Sequence, residues 1–333
     1  MHHPESWNKA DLFRHIQHAI AIELWTVPLY LTALYSIKGL DTLKHHQYPS
    51  AAKLLFSVVA QEMLHLELVC NISNAVGYAP TFSPPVYNME KGIPFIHPSD
   101  KSLPPDLHGY TIKPQALNKA SLKLFCAIEL PHEKSEVVLV GGNLYCSIGE
   151  FYEALKVGIV ALWDECYVGD EKNTKQKNSF NEYHNAGEKS HGFSQVVNSK
   201  ETALMAIDAI ISQGEGADAS KVPVDFQPHK YLSHDSEESF VYKGEMSHYT
   251  KFRLLLHSHH KLPTVYLNLS DNENSDAQQV LEKEFMGLLS EMQIGFSTDG
   301  ESLPGSFWQK MSGFGNTLTD VWKAGACPNF DFE

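Results

Sequence analysis

Glutamate and histidine three residues apart on an apolar helix face form a metal-ligating pattern, and this chain presents it twice. Glu62-Met63-Leu64-His65 lies among Val58, Val59, Leu66 and Val69, and the i,i+3 spacing puts both side chains on one face of a helix. A carboxylate among branched alkyl groups is costly unless it is paired or metal-bound. Glu245-Met246-Ser247-His248, followed by Phe252 and Leu255, repeats the arrangement. Glu23 adds a lone carboxylate in the face formed by Ile16, Ala19, Ile20, Val27 and Leu31. Two Glu-x-x-His pairs and lone glutamates from other helices are how helical bundles hold two iron ions.

That layout asks for one more lone carboxylate. Glu215 extends the Leu204, Ile207, Ile211 face, whereas Glu150 opens a helix whose cap is Ser147. If the helices carrying them are antiparallel, both lie at the same end, so either or both can ligate. Glu150 also has the capping-box spacing, which explains it without a metal. Glu129, just before Leu130-Pro131, is a further ligand candidate but reads first as an ordinary surface acid or one standing behind the ligands. His257, His259 and His260 lie beyond the liganding turn and read as surface or supporting residues. Carboxylate and imidazole donors favour iron, one or two ions, or manganese over structural zinc.

The elements that must position these residues are helical. Three- and four-residue periodicity predicts helices over 10–37, 50–76, 148–166, 200–213, 241–258, 276–294 and 305–323. Pro28 is expected to kink the first rather than end it. Residues 120–130 fit a strand or a helix. Prolines crowd 78–115, which reads as an ordered excursion, a lid or a wrap over the bundle. The polar stretch 169–199 reads as a surface insertion. Residues 1–260 are expected to form the metal-binding domain, with 261–333 a helical extension packed on it.

The net charge of −14 argues against a nucleic-acid partner. Five scattered cysteines suit a reducing compartment, and no signal-like start or long uncharged apolar run appears; the expectation is a cytoplasmic protein with no membrane partner. Phosphate loops, nucleophile elbows and paired zinc-binding cysteines are missing.

Five segments keep a recognisable order: 21–30 (AIELWTVPLY), 61–66 (QEMLHL), 147–152 (SIGEFY), 213–216 (QGEG) and 247–252 (SHYTKF). Over residues 10–260 the chain thereby resembles the ferritin-like domain of the iminophenyl-pyruvate dimer synthases of violacein and related bis-indole pathways. The resemblance implies an all-α, ferritin-like helical bundle with long loop excursions and additional C-terminal helices. It implies bound iron at Glu23, Glu62, His65, Glu150, Glu215 and His248, with Glu245 less securely matched. It further implies an oxidoreductase using a small-molecule substrate, an amino-acid-derived imine in the best-known member, with dioxygen as co-substrate. The chain is much shorter than those pathway enzymes and corresponds to a stand-alone member. Its assembly is left open, a dimer included.

Overall fold

The computed structural model describes residues 4–87, 104–131, 145, 147–180, 196–214, 246–269 and 275–332. Among them run eight α-helices: α1 (Lys9–Tyr35), α2 (Ser50–Ala75), α3 (Lys119–Ile128), α4 (Ile148–Cys166), α5 (Lys200–Gly214), α6 (His248–His257), α7 (Asp276–Ser297) and α8 (Gly305–Lys323). The all-α expectation holds, and the ambiguous stretch 120–130 is helical. Asn118 settles it locally, because its side chain accepts the N–H groups of Ala120 and Ser121 and closes a capping box.

The long helices start where the sequence offers caps. Asn8 and Asp11 form a reciprocal capping box at α1, and the Ser147 hydroxyl accepts the Glu150 N–H at α4. Helix α1 continues through Pro28, which sits buried in its third quarter. Helix α2 is long and apolar enough to cross a membrane, yet 89% of that apolar window is buried by the other helices.

The core is a four-sided bundle in which two sides are interrupted helices. Helices α1 and α2, of 27 and 26 residues, form one uninterrupted pair. The third side is divided between α3, 10 residues, and α4, 19 residues. Trp7, just before α1, meets Gly158 of α4, whereas Tyr30 near the other end of α1 meets Phe125 of α3 at 4.8 Å between rings. The two pieces therefore follow one another along α1, both running against it. The fourth side is divided likewise. Helix α5 packs on α4, with Lys156 and Asp208 paired at 2.7 Å, and α6 packs on α3, with Phe252 against Phe125. Both interruptions fall half-way along the bundle.

Because α2 and the α3–α4 side run the same way, their connection must travel the bundle's full length. The described parts of 76–118 do so along α1. Thr81 bonds Gln17, the Trp25 indole donates to the Val86 carbonyl at 3.0 Å, and the Leu117 N–H donates to Ser36 Oγ at 2.9 Å. The proline-rich segment is thus a wrap there. Residues 170–180 are not the loose surface insertion expected from their polarity. Glu67 of α2 accepts the N–H groups of Ser179 and Phe180, Asn71 donates to the Lys177 carbonyl, and the Lys177 side chain is fully buried.

Helices α7 and α8 form a hairpin that docks on α1 through α8. Gly315 admits the Tyr35 ring, and the Trp322 indole donates to the Thr32 carbonyl at 3.1 Å.

Candidate metal centre

At the level of the two interruptions, five buried side chains converge. Glu23 comes from α1, Glu62 and His65 from α2, Glu129 from the C-terminal cap of α3, and His248 from the first position of α6; none is more than 3% exposed. His65 Nδ1 lies 3.4 Å from Glu23 Oε2 and 3.9 Å from Glu62 Oε2. His248 Nδ1 lies 2.8 Å from Glu62 Oε1 and 3.7 Å from Glu129 Oε1. One ligand atom each from Glu62, His65 and His248 falls within 4.8 Å of the others. The two imidazoles are near-parallel, 5.3 Å apart.

Each acid and imidazole is held from behind. Tyr152, in the first turns of α4, donates to Glu23 in a short hydrogen bond, and Tyr30 donates to Glu129 at 2.6 Å. Burial lifts both phenols far above their ordinary range, so they remain donors. Thr26 donates to Glu62 at 2.8 Å. His65 Nε2 faces Gln213 Oε1 at 2.9 Å, and His248 Nε2 faces Gln61 Oε1 at 3.1 Å. Such partners orient the ring of a ligating histidine.

Burial, with Glu129 and Glu23 nearby, pushes the Glu62 carboxyl well above the usual carboxylate range. Burial pulls His248 below the ordinary imidazole value. At His65 burial acts the same way, but Glu23 and Glu62 outweigh it and the net shift is upward. Three buried acids so close together ask for cationic compensation. The most telling atom is His248 Nδ1. It is buried and within 2.8 Å of a carboxylate, yet it makes no hydrogen bond among the described residues. One atom each of Glu62, His65 and His248 lies close enough to share an ion, and the donor set of oxygens and imidazole nitrogens fits iron or manganese.

The structure brings together Glu23, Glu62, His65 and His248 of the residues singled out by sequence. Glu150 is placed elsewhere: it is half-buried at the third position of α4, its backbone serves the Ser147 cap, and its charge bears on Tyr145. Glu215 and Glu245 lie outside the described residues. Ser247 is an extended cap whose hydroxyl accepts the Thr250 N–H, so among the described residues the helix expected over 241–258 begins at His248.

Among the described residues the further carboxylate of the cluster is Glu129. It continues the Leu122, Phe125 stripe at seven and four residues' distance, the same signal that singled out Glu215. The signal is weak in sequence because 120–130 fits a strand as well as a helix, and only the helix puts Glu129 on that face. Tyr30 serves Glu129, and Tyr152, on the Leu155, Ile159 stripe of α4, serves Glu23.

Residues 16–257 match the ferritin-like family. This chain belongs to the ferritin-like family. A crystal structure of a ferritin-like protein from Caulobacter vibrioides is similar, with a TM-score of 0.72 and 28% identity, over 98% of this chain and 99% of that one. No curated protein matches the chain. The family match ends where α6 ends, while the Caulobacter likeness extends over the α7–α8 hairpin as well. The ferritin-like fold includes both di-iron oxidoreductases and iron-storage proteins.

Proposed function

We propose that this ferritin-like protein is an iron-dependent oxidoreductase that acts on a small organic substrate with dioxygen. An imine derived from an aromatic amino acid is the substrate class to test first, on the strength of the motif resemblance. The observation that carries the reading is His248 Nδ1, buried beside Glu62 and Glu129 with no hydrogen bond among the described residues. Glu23, Glu62, His65, Glu129 and His248 would hold the ion or ions. Bound iron supplies one-electron chemistry and affinity for dioxygen.

The chain's own residues account for the rest. Tyr152, Tyr30 and Thr26 keep three carboxylates aimed inward, so the donor set is formed before any ion arrives. The wrap along α1, anchored on Trp25 through Val86 and Tyr87, shields that flank from bulk water. Four described cysteines are free, and three of them are buried, which suits the reducing cytoplasm.

Elemental analysis of protein purified without chelator, followed by oxygen uptake with aromatic imines generated in place, tests the reading. About one or two irons per chain and substrate-dependent oxygen consumption are expected. Large amounts of retained iron after ferrous loading would instead establish storage. Zinc with no oxygen uptake would establish a non-redox enzyme, and absence of any metal would leave a binding scaffold.

A further inference from the structure

His248 has two ways to carry its single proton, and only one leaves a ligand. Two carboxylates, Glu62 at 2.8 Å and Glu129 at 3.7 Å, face Nδ1 and would draw the proton there. A proton on Nδ1 occupies the direction in which a cation must bind. On the other side Nε2 faces the side-chain amide of Gln61 at 3.1 Å. An amide can present either its oxygen or its NH2 group, and it can reverse by rotation. Gln61 by itself therefore settles nothing.

Lys251 settles it. One turn along α6 from His248, its side chain is buried, and Nζ lies 2.6 Å from the same Gln61 oxygen. An ammonium group has three donors and no acceptor, so the amide atom it meets must be oxygen. That oxygen then faces Nε2 as well, and Nε2 must bear the hydrogen. We propose that Lys251 and Gln61 lock His248 in the Nε2–H tautomer, so that the bare Nδ1 lone pair is held out against the pull of Glu62 and Glu129. Lys251 is a positioning residue acting through Gln61. The purpose of the lock rests on the metal-centre reading, but the tautomer is a property of the chain itself.

The lock is read directly by nitrogen NMR on protein labelled with 15N-histidine and stripped by chelator, with His248 assigned by its disappearance in His248→Gln. The wild type is expected to show a bare Nδ1 and a protonated Nε2. Gln61→Glu, which has an acceptor on either face, keeps that pattern. Lys251→Met frees the amide to reverse and moves the proton to Nδ1. Gln61→Met removes the acceptor with the same result, and stands in if Lys251→Met does not fold. A wild-type Nδ1 bearing a proton, alone or in an imidazolium, overturns the proposal; so does an unchanged pattern in folded Lys251→Met or Gln61→Met. Cobalt(II) titration of the same proteins gives the second readout, with affinity expected to fall about 10–100-fold in Lys251→Met. If cobalt does not bind even to the wild type, the metal-centre reading fails while the NMR result still decides the lock.

Discussion

Glu129 stands where α3 has already stopped, yet Tyr30 and His248 meet it from across the bundle and make it one of the three buried acids of the centre. Its replacement by alanine should lower metal affinity by roughly 100-fold or more, beyond the about 10–100-fold expected for residues behind the ligands; calorimetric titration of the folded variant with ferrous or cobalt ion measures this. Tyr152→Phe leaves Glu23 in place without its donor, and the smaller range applies to it. The same titration should show weaker binding with stoichiometry unchanged. Glu23, Glu62 and His65 were legible in sequence because long helices carry a clear phase on both sides of them. His248 was legible from its Glu-x-x-His spacing and the Phe252, Leu255 face. Glu129 sits at a helix end, where phase is short, and what picks it out is a partner distant in sequence, Tyr30, 99 residues away.

Helix boundaries in α1, α2, α4 and α8 follow periodicity and caps closely, since each extends over four turns or more and its apolar face has one solution. Helix α3, with 10 residues, is too short to separate 3.6 from 2 by pattern alone, and the Asn118 cap decides. The interruptions of the third and fourth sides could not be seen as such, because sequence shows a helix ending but not what continues beyond it in space. Close approach of elements is also invisible until they dock. At Gly315 an added Cβ would lie 2.2 Å from the Tyr35 ring, and at Gly158 equally close to Trp7. Gly315→Ala should therefore destabilise the docking of α8 on α1 by about 1–3 kcal/mol, seen as a lower urea midpoint. An unchanged midpoint would show that Tyr35 swings aside at no cost.

Stability as a function of pH belongs to the molecule as a whole, and two histidines near the start of α1 shape it. Burial, aided by the charges of His15 and Arg14, lowers His18 from 6.5 to about 4; burial lowers His15 too. His15 Nδ1 faces the Asp11 carbonyl, so its other nitrogen accepts from the Tyr145 hydroxyl, a bond whose direction reverses on protonation. A depressed imidazole is neutral in the fold and charged in the unfolded chain. Its contribution is present above pH 6.5 and is lost as pH falls from 6.5 toward about 4. Urea midpoints should decline through that window, and His18→Gln should flatten the decline. A bound ion acts in the opposite sense: it adds about 2.7 kcal/mol at a free concentration a hundredfold above its Kd, so chelation should lower the Tm.

The paired interruptions also bear on descent. An insertion inside a continuous helix rotates everything after it, about 100° per added residue at 3.6 residues per turn, and so scrambles the buried face. Here the half-helices restart from their own caps, Ser147 and Ser247. The segments between them can lengthen, shorten or be exchanged by any number of residues without changing the phase of either half. These two junctions open at the level of the carboxylates. The lineage can thus swap what surrounds its chemistry while inheriting the scaffold intact, and relatives are expected to differ in length most at 132–146 and 215–245.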